Sequence, residues 1–349
     1  MLVTHKPVRL LTALASFLLA GSLLTACGSD EPETPAAAGT AGNAFPVTIT
    51  HKFGQTTIKA EPKRIVTVGL TDQDAVLALG KVPVATTEWF GGYPGAIGPW
   101  AQGKLNGAPV PTLLKDPGTG PQVEKIASLK PDLILALYAG LTDKQYEQLS
   151  KFAPVVAQPA QYADYGIPWQ EQTKTIGKAL GKEAEAGKLV SALEQRFAKI
   201  KTDNPEFAGK TAVTATPYEG FFVYGPQDLR SRTLALLGFT LPADLTKVVG
   251  KEFGVSISKE RLDLLDQNVI VWTVGSIDKD RPKLHADALY ADLNVVKQGR
   301  EVYVGEDTPY GIAYSYQTVL SLPYVLDRMV PQLKAALDGN TATKVEPAS

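Results

Sequence analysis

Side chains able to carry chemistry are few in this sequence. Three histidines, His5, His51 and His285, and one cysteine, Cys27, are all the imidazole and thiol in 349 residues. A lone thiol can form neither an internal disulfide nor a Cys-rich zinc or iron–sulfur site, and so thin a ligand set argues against a metal centre built by the protein. Nucleophilic catalysis has equally little support. There is no G-x-S-x-G elbow, Ser256-Ile257-Ser258-Lys259 matches S-x-x-K without the accompanying S-D-N or K-T-G, and His285 has no nucleophile near it in sequence. What the chain offers instead is ring and guanidinium surface in turn-like segments: Trp89 and Tyr93 within Thr87–Pro94, then Tyr138, Tyr218, Arg230 and Arg232 within Gln227–Arg232, Trp272 and Tyr310. Such groups hold molecules by stacking and charge-assisted hydrogen bonds.

The elements that must position these residues are legible from the pattern. Ile65–Val68 reads as a strand, Gly69–Gln73 as a turn, Asp74–Leu79 as a helix closed by Gly80, and Val82–Ala85 as a second strand, together a βαβ unit of a parallel sheet. Ahead of it, alternation over Phe45–Ile58 predicts a hairpin turning near Phe53-Gly54-Gln55. A repeat spaced by 136 residues aligns Glu124-Lys125-Ile126, Leu129 and Asp132–Leu135 with Glu260-Arg261-Leu262, Leu265 and Asn268–Val271. The chain thus contains one helix-to-strand unit twice, and two similar α/β lobes account for it. Between the copies, Ala186, Leu189, Val190, Leu193, Phe197 and Ile200 follow the spacing of one helical face. A helix of about 30 Å there predicts a stiff spine between the lobes and a small rocking motion rather than wide hinge closure.

The fold class expected is therefore α/β, with two parallel-sheet lobes joined by a single long helix and a cleft between them. In open parallel sheets, ligands sit beyond the carboxyl ends of the strands. The candidate loops are Gly69–Asp72 with Thr71, Thr87–Tyr93, Tyr138, Thr216–Glu219, Trp272–Ser276 and Asp307–Tyr314.

Charge and termini narrow the class. Thirty-five Lys plus Arg against 36 Asp plus Glu leave a net charge of −1, which supplies no field for nucleic-acid phosphates. The first 26 residues carry Lys6 and Arg9 and no acid, then an apolar run from Leu10 to Ala26, the pattern of a secretory signal peptide. That run ends Leu24-Thr25-Ala26-Cys27, which resembles a bacterial lipobox; the resemblance implies cleavage before Cys27 and diacylation of its sulfur. Residues through Ala44 contain no large apolar side chain and read as a tether. The expected organisation is a signal peptide over 1–26, tether 27–45, first lobe 46–181, spine 182–203, second lobe 204–338 and tail 339–349.

Several motifs in sequence order resemble a known family: Arg64-Ile65-Val66 through Leu77-Ala78-Leu79-Gly80, Glu124-Lys125-Ile126 through Leu129–Ile134, Thr87–Pro94, Pro168–Gln172, Ile176–Gly181 and the spine. Together they are similar to substrate-binding lipoproteins of ATP-driven iron–siderophore importers, over roughly Val47 to Leu337. The resemblance implies an extracytoplasmic monomer anchored to the cell membrane. It would take a ferric siderophore between two lobes and hand it to an integral-membrane permease, without catalysis, cofactor or nucleic acid. It also implies that one surface glutamate per lobe, here Glu124 and Glu260, meets permease arginines. The aromatic loops suit a pre-chelated metal, because the chelator already fills the coordination sphere. Arg230 and Arg232 are candidates to meet anionic or carbonyl-type oxygens of the chelate, one of the two being expected to reach it. Haem, cobalamin or ferric citrate are alternative ligands; a siderophore-ester hydrolase is an alternative of another class.

Overall fold

The computed structural model describes residues 44–348 apart from 117 and 219, so His5, Cys27, the signal peptide and most of the tether lie outside the described residues. Asn43–Ser349 forms one compact unit. It opens with an antiparallel hairpin, β1 (Val47–His51) and β2 (Gly54–Ile58), whose alternation turns Ile49 and Ile58 into the first core.

The first sheet comprises β3 (Ile65–Thr67), β4 (Ala85–Thr87), β5 (Thr112–Leu114), β6 (Leu133–Ala136) and β7 (Val155–Ala157), in the order β5-β4-β3-β6-β7 with every pairing parallel. Helices cover both faces, which is why β3 and β6 are apolar runs rather than alternations. The second strand of the predicted βαβ unit begins at Ala85 and not Val82. Pro83 has no N–H to give the ladder. The helix between β3 and β4 runs Asp72–Ala78, beginning two residues ahead of expectation with Asp72 and Asp74 both in its first turn.

The second sheet comprises β8 (Ala212–Thr216), β9 (Phe221–Tyr224), β10 (Gly254–Ile257), β11 (Val269–Val274) and β12 (Glu301–Gly305), in the order β10-β9-β8-β11-β12. The expected α/β lobe is present, with one local departure from a parallel sheet. β8, β11 and β12 are parallel, but β9 runs antiparallel to both its neighbours. Only four residues, 217–220, join β8 to β9, and a parallel neighbour needs a crossover of about a dozen or more.

A helix over Glu183–Asp203 runs between the two sheets in sequence and links their cores in space. Its Ala186 is buried with the first core, whereas Val190, Leu193 and Phe197 are buried with Val269, Val271 and Val302 of the second. The repeated segments also occupy matching places. Glu124 lies in helix Val123–Ser128 ahead of β6, and Glu260 in the 3-10 helix Lys259–Leu265 ahead of β11, each strand being next to last in its sheet. After helix Ser321–Ala336 the chain folds back: Val345 and Ala348 pack on the second core, and Gln332 Nε2 donates to the Glu346 carbonyl at 3.0 Å. Among the described residues, no helix is long and apolar enough to cross a membrane.

Candidate functional site

A cavity of about 1050 Å³ opens between the two sheets. The first lobe reaches it through turns that follow its strands: Leu70 after β3, Trp89 and Phe90 after β4, and Tyr138 after β6. Their positions depend on one buried carboxylate. Asp72 accepts from the backbone N–H groups of Leu137 (2.8 Å) and Tyr138 (3.1 Å) and from Gln172 Nε2 (2.8 Å), binding the turn after β3 to the turn after β6. Gly69 makes room for it, since a Cβ there would sit 2.1 Å from Asp72 Oδ2. Burial pushes the Asp72 pKa up to about 6, against the pull of those three hydrogen bonds. Above this scaffold the rings form a run: Trp89 lies 5.7 Å from Tyr138, which lies 5.6 Å from Tyr165.

The second lobe presents a different surface. Helix Leu229–Leu236 is capped by Asp228, whose Oδ1 accepts the Arg230 backbone N–H at 2.8 Å. The same carboxylate takes two hydrogen bonds from the Arg230 guanidinium, at 2.9 and 2.8 Å, while that guanidinium lies 3.7 Å over the Tyr224 ring. Burial opposes the charged form of Arg230, but Asp228 outweighs it and the pKa moves upward. Phe253, Glu306, Asp307 and Ile312 complete the wall, the two acids directly after β12. Among the described residues, no histidine or cysteine lines the cavity.

The lobes also touch beside the cavity. Trp89 stacks on Tyr316 at 5.5 Å, and Phe90 meets the same ring edge-on at 5.7 Å. Gly91 has φ +96°, and a Cβ there would fall 2.9 Å from Ile312 Cδ1, so the loop can approach the second lobe only with glycine at that point. Below, Asp74 accepts from Trp100 Nε1 at 2.7 Å and from Thr318 Oγ1 at 2.5 Å, joining helix Asp72–Ala78 to the start of the last helical segment. Its second oxygen is buried without a partner, and burial pushes its pKa up to about 6.

Of the candidates read from the sequence, Trp89, Tyr138 and Arg230 come together in this cavity. The others do not line it. Thr71 is buried beneath Leu70, its Oγ1 accepting from Gln172 Nε2 at 2.9 Å. Tyr93 turns to Trp100, with ring centroids 6.1 Å apart. Tyr218 stands 62% exposed in the hairpin link between β8 and β9. Arg232 is a strut: its guanidinium donates to the Gly166 carbonyl (2.8 Å) and to Gln227 Oε1 (3.0 Å), beside a smaller cavity of about 370 Å³. Trp272 and Tyr310 require correction outright. Trp272 is fully buried in β11, a strand flanked on both sides, and donates to Tyr290 OH at 2.7 Å; Tyr310 is fully buried and donates to Gln332 Oε1 at 3.0 Å. Both are core aromatics whose polar ends are satisfied internally.

Asp164, Tyr165, Asp228, Phe253 and Glu306 in the cavity wall and Tyr316 at the lobe contact were not among the sequence candidates. Asp228 carried a usable signal, an Asp immediately before a helical run. The rest reach the site or the lobe contact through tertiary folding alone. Glu124 and Glu260 are exposed on the outer surface.

Comparison with known proteins follows the same lines. A family model described as "Periplasmic binding protein" matches residues 95–308. A periplasmic solute binding protein from Mycobacterium smegmatis is 38% identical, with a TM-score of 0.74 over 83% of this chain and 98% of that one. Streptococcus pneumoniae PiaA, solved in complex with ferrichrome, is 29% identical, with a TM-score of 0.74 over 84% of this chain and 99% of that one. The Fe(3+)-citrate-binding protein YfmC of Bacillus subtilis is 25% identical over 301 residues, covering 86% of this chain and 90% of the relative.

Proposed function

Because this chain belongs to the periplasmic binding protein family, we propose that it captures a ferric siderophore between its lobes and delivers it to an ATP-driven permease, with no chemistry of its own. The observation that carries this is the cavity itself. Its volume of about 1050 Å³ suits a ligand of drug size or somewhat larger, and its lining combines rings with a small set of charged groups and, among the described residues, no imidazole or thiol. Such walls suit a metal ion that arrives already coordinated. The resemblance of the whole fold to a ferrichrome-bound neighbour supports the same class of ligand. Calorimetric titration of the folded body with ferric and iron-free hydroxamates, catecholates and citrate tests it: submicromolar binding of at least one ferric chelate is expected, and no binding of any would overturn it.

Delivery would use the outer surface. Glu124 and Glu260 occupy equivalent exposed positions in the two lobes and are proposed to meet cationic residues of the two permease subunits. Reversing both, Glu124→Lys with Glu260→Lys, should abolish uptake in cells while leaving chelate affinity within about twofold, because like charges placed together repel. Full uptake by the double variant would remove the docking role. The Leu24–Cys27 motif supports a lipid anchor on Cys27, which would hold the body at the outer face of the cell membrane. Mass spectrometry of the purified amino terminus should find the diacyl modification, and an unmodified Cys27 would contradict it.

A further inference from the structure

The charges of the cleft narrow the ligand further, on the premise that it is a ferric chelate. Among the described residues, five charged side chains line the cavity: Asp164, Asp228, Glu306, Asp307 and Arg230. The single cation is already spent, since Asp228 clamps its guanidinium through two hydrogen bonds and Tyr224 covers its face. Asp164 is compensated by Lys52, 2.5 Å away. Arg232 stands nearby and adds a positive charge, but its donors are committed to protein oxygens. Glu306 and Asp307, exposed at the mouth, have no ion-pair partner among the described residues. A cavity that had to neutralise an anion would show the reverse, a free guanidinium or ammonium aimed inward.

We infer that the cleft selects neutral or cationic ferric chelates and disfavours polyanionic ones, with Glu306 and Asp307 setting the preference. Three hydroxamates neutralise Fe³⁺, whereas three catecholates leave a charge of −3. The aromatic wall then supplies contact area that does not depend on charge, and a peripheral ammonium on the chelate would face the two carboxylates. Because those carboxylates are solvated, their effect is moderate and falls with salt.

The test holds the iron coordination constant and varies only peripheral charge. A linear ferric tris-hydroxamate with a free terminal amine (+1), its N-acetyl derivative (0) and its N-succinyl derivative (−1) are titrated by calorimetry, alongside a ferric tris-catecholate and ferric citrate. At low salt, affinity should fall about threefold to tenfold per unit of charge from +1 to −1. The spread should narrow at 0.5 M salt and in the Glu306→Gln/Asp307→Asn double variant. Equal affinities at low salt, or tightest binding by the succinylated form, overturn the inference. Binding of the catecholate or the citrate in preference to all three hydroxamates overturns it too, while leaving the siderophore reading intact. Failure of every chelate to bind removes both.

Discussion

Trp89, Phe90, Tyr138 and Tyr165, with Leu70, make the first lobe's wall of the cleft largely aromatic, its one charge, Asp164, being paired with Lys52, whereas the second lobe's wall carries Asp228, Arg230, Glu306 and Asp307 beside Phe253 and Ile312. The difference follows from how each sheet is built. In the first, all five strands are parallel and short turns at their carboxyl ends converge on the cleft, held by buried hydrogen bonds to Asp72. In the second, the antiparallel β9 delivers the Asp228–Arg230 segment, and only β12 contributes directly from its carboxyl end. Stacking faces tolerate many ligands of similar shape; charges discriminate among them. On the proposed function, one lobe would grip and the other choose.

The sharpest way to break that division is to unbalance the charged wall. Asp228→Ala removes a helix cap and leaves the half-buried Arg230 guanidinium without its carboxylate, so the folded state should lose about 1–3 kcal/mol by urea denaturation. A loss below about 1 kcal/mol would mean the clamp seen here is not what holds Arg230.

On the ring wall the effect should fall on binding instead of folding. Trp89→Ala should weaken chelate affinity by about 1–3 kcal/mol with the circular dichroism spectrum unchanged. Tyr310→Phe, which removes only an internal hydrogen bond, should cost about 1 kcal/mol of stability and leave affinity within twofold. An affinity loss in Tyr310→Phe equal to that in Trp89→Ala would place Tyr310 in the site after all.

The junction between the walls offers a smaller, pH-dependent effect. Asp74 has a folded pKa of about 6, above its unfolded value near 3.8. Its contribution to stability is therefore fully present below about pH 4 and is lost as pH rises through 6. Asp74→Asn mimics the protonated carboxyl at every pH. The variant should match the wild type at pH 4 and exceed it by about 1–3 kcal/mol at pH 7.5, each pKa unit being worth about 1.4 kcal/mol. A variant less stable at pH 7.5 would show that the carboxylate form is the one the fold favours.

The contrast between the walls was only half legible in the sequence. The turns after β3, β4 and β6 could be located because apolar runs, glycines and the 136-residue repeat mark strand ends directly. Trp89 and Tyr138 became candidates on that basis, and both line the cavity. Of the charged wall, Arg230 and the loop beginning at Asp307 were candidates, but Asp228 and Glu306 were not, because that wall depends on a mixed sheet signalled only by the four-residue link 217–220, and on Asp228 quenching an arginine two residues later. An arginine on a turn reads as free until its partner is seen. Trp272 shows the opposite failure: a tryptophan near a strand end satisfies the pattern of a pocket residue and of a core residue equally, and burial decides between them.

The most direct test of capture between the lobes is a crystal structure of the folded chain with a neutral ferric tris-hydroxamate. The chelate should lie in the cleft, its organic shell against Trp89 and Tyr138 on one side and facing Arg230, Glu306 and Asp307 on the other, with no protein atom bonded to iron. A chelate seated elsewhere on the surface, or held by iron–protein bonds, would contradict the proposed mode of capture.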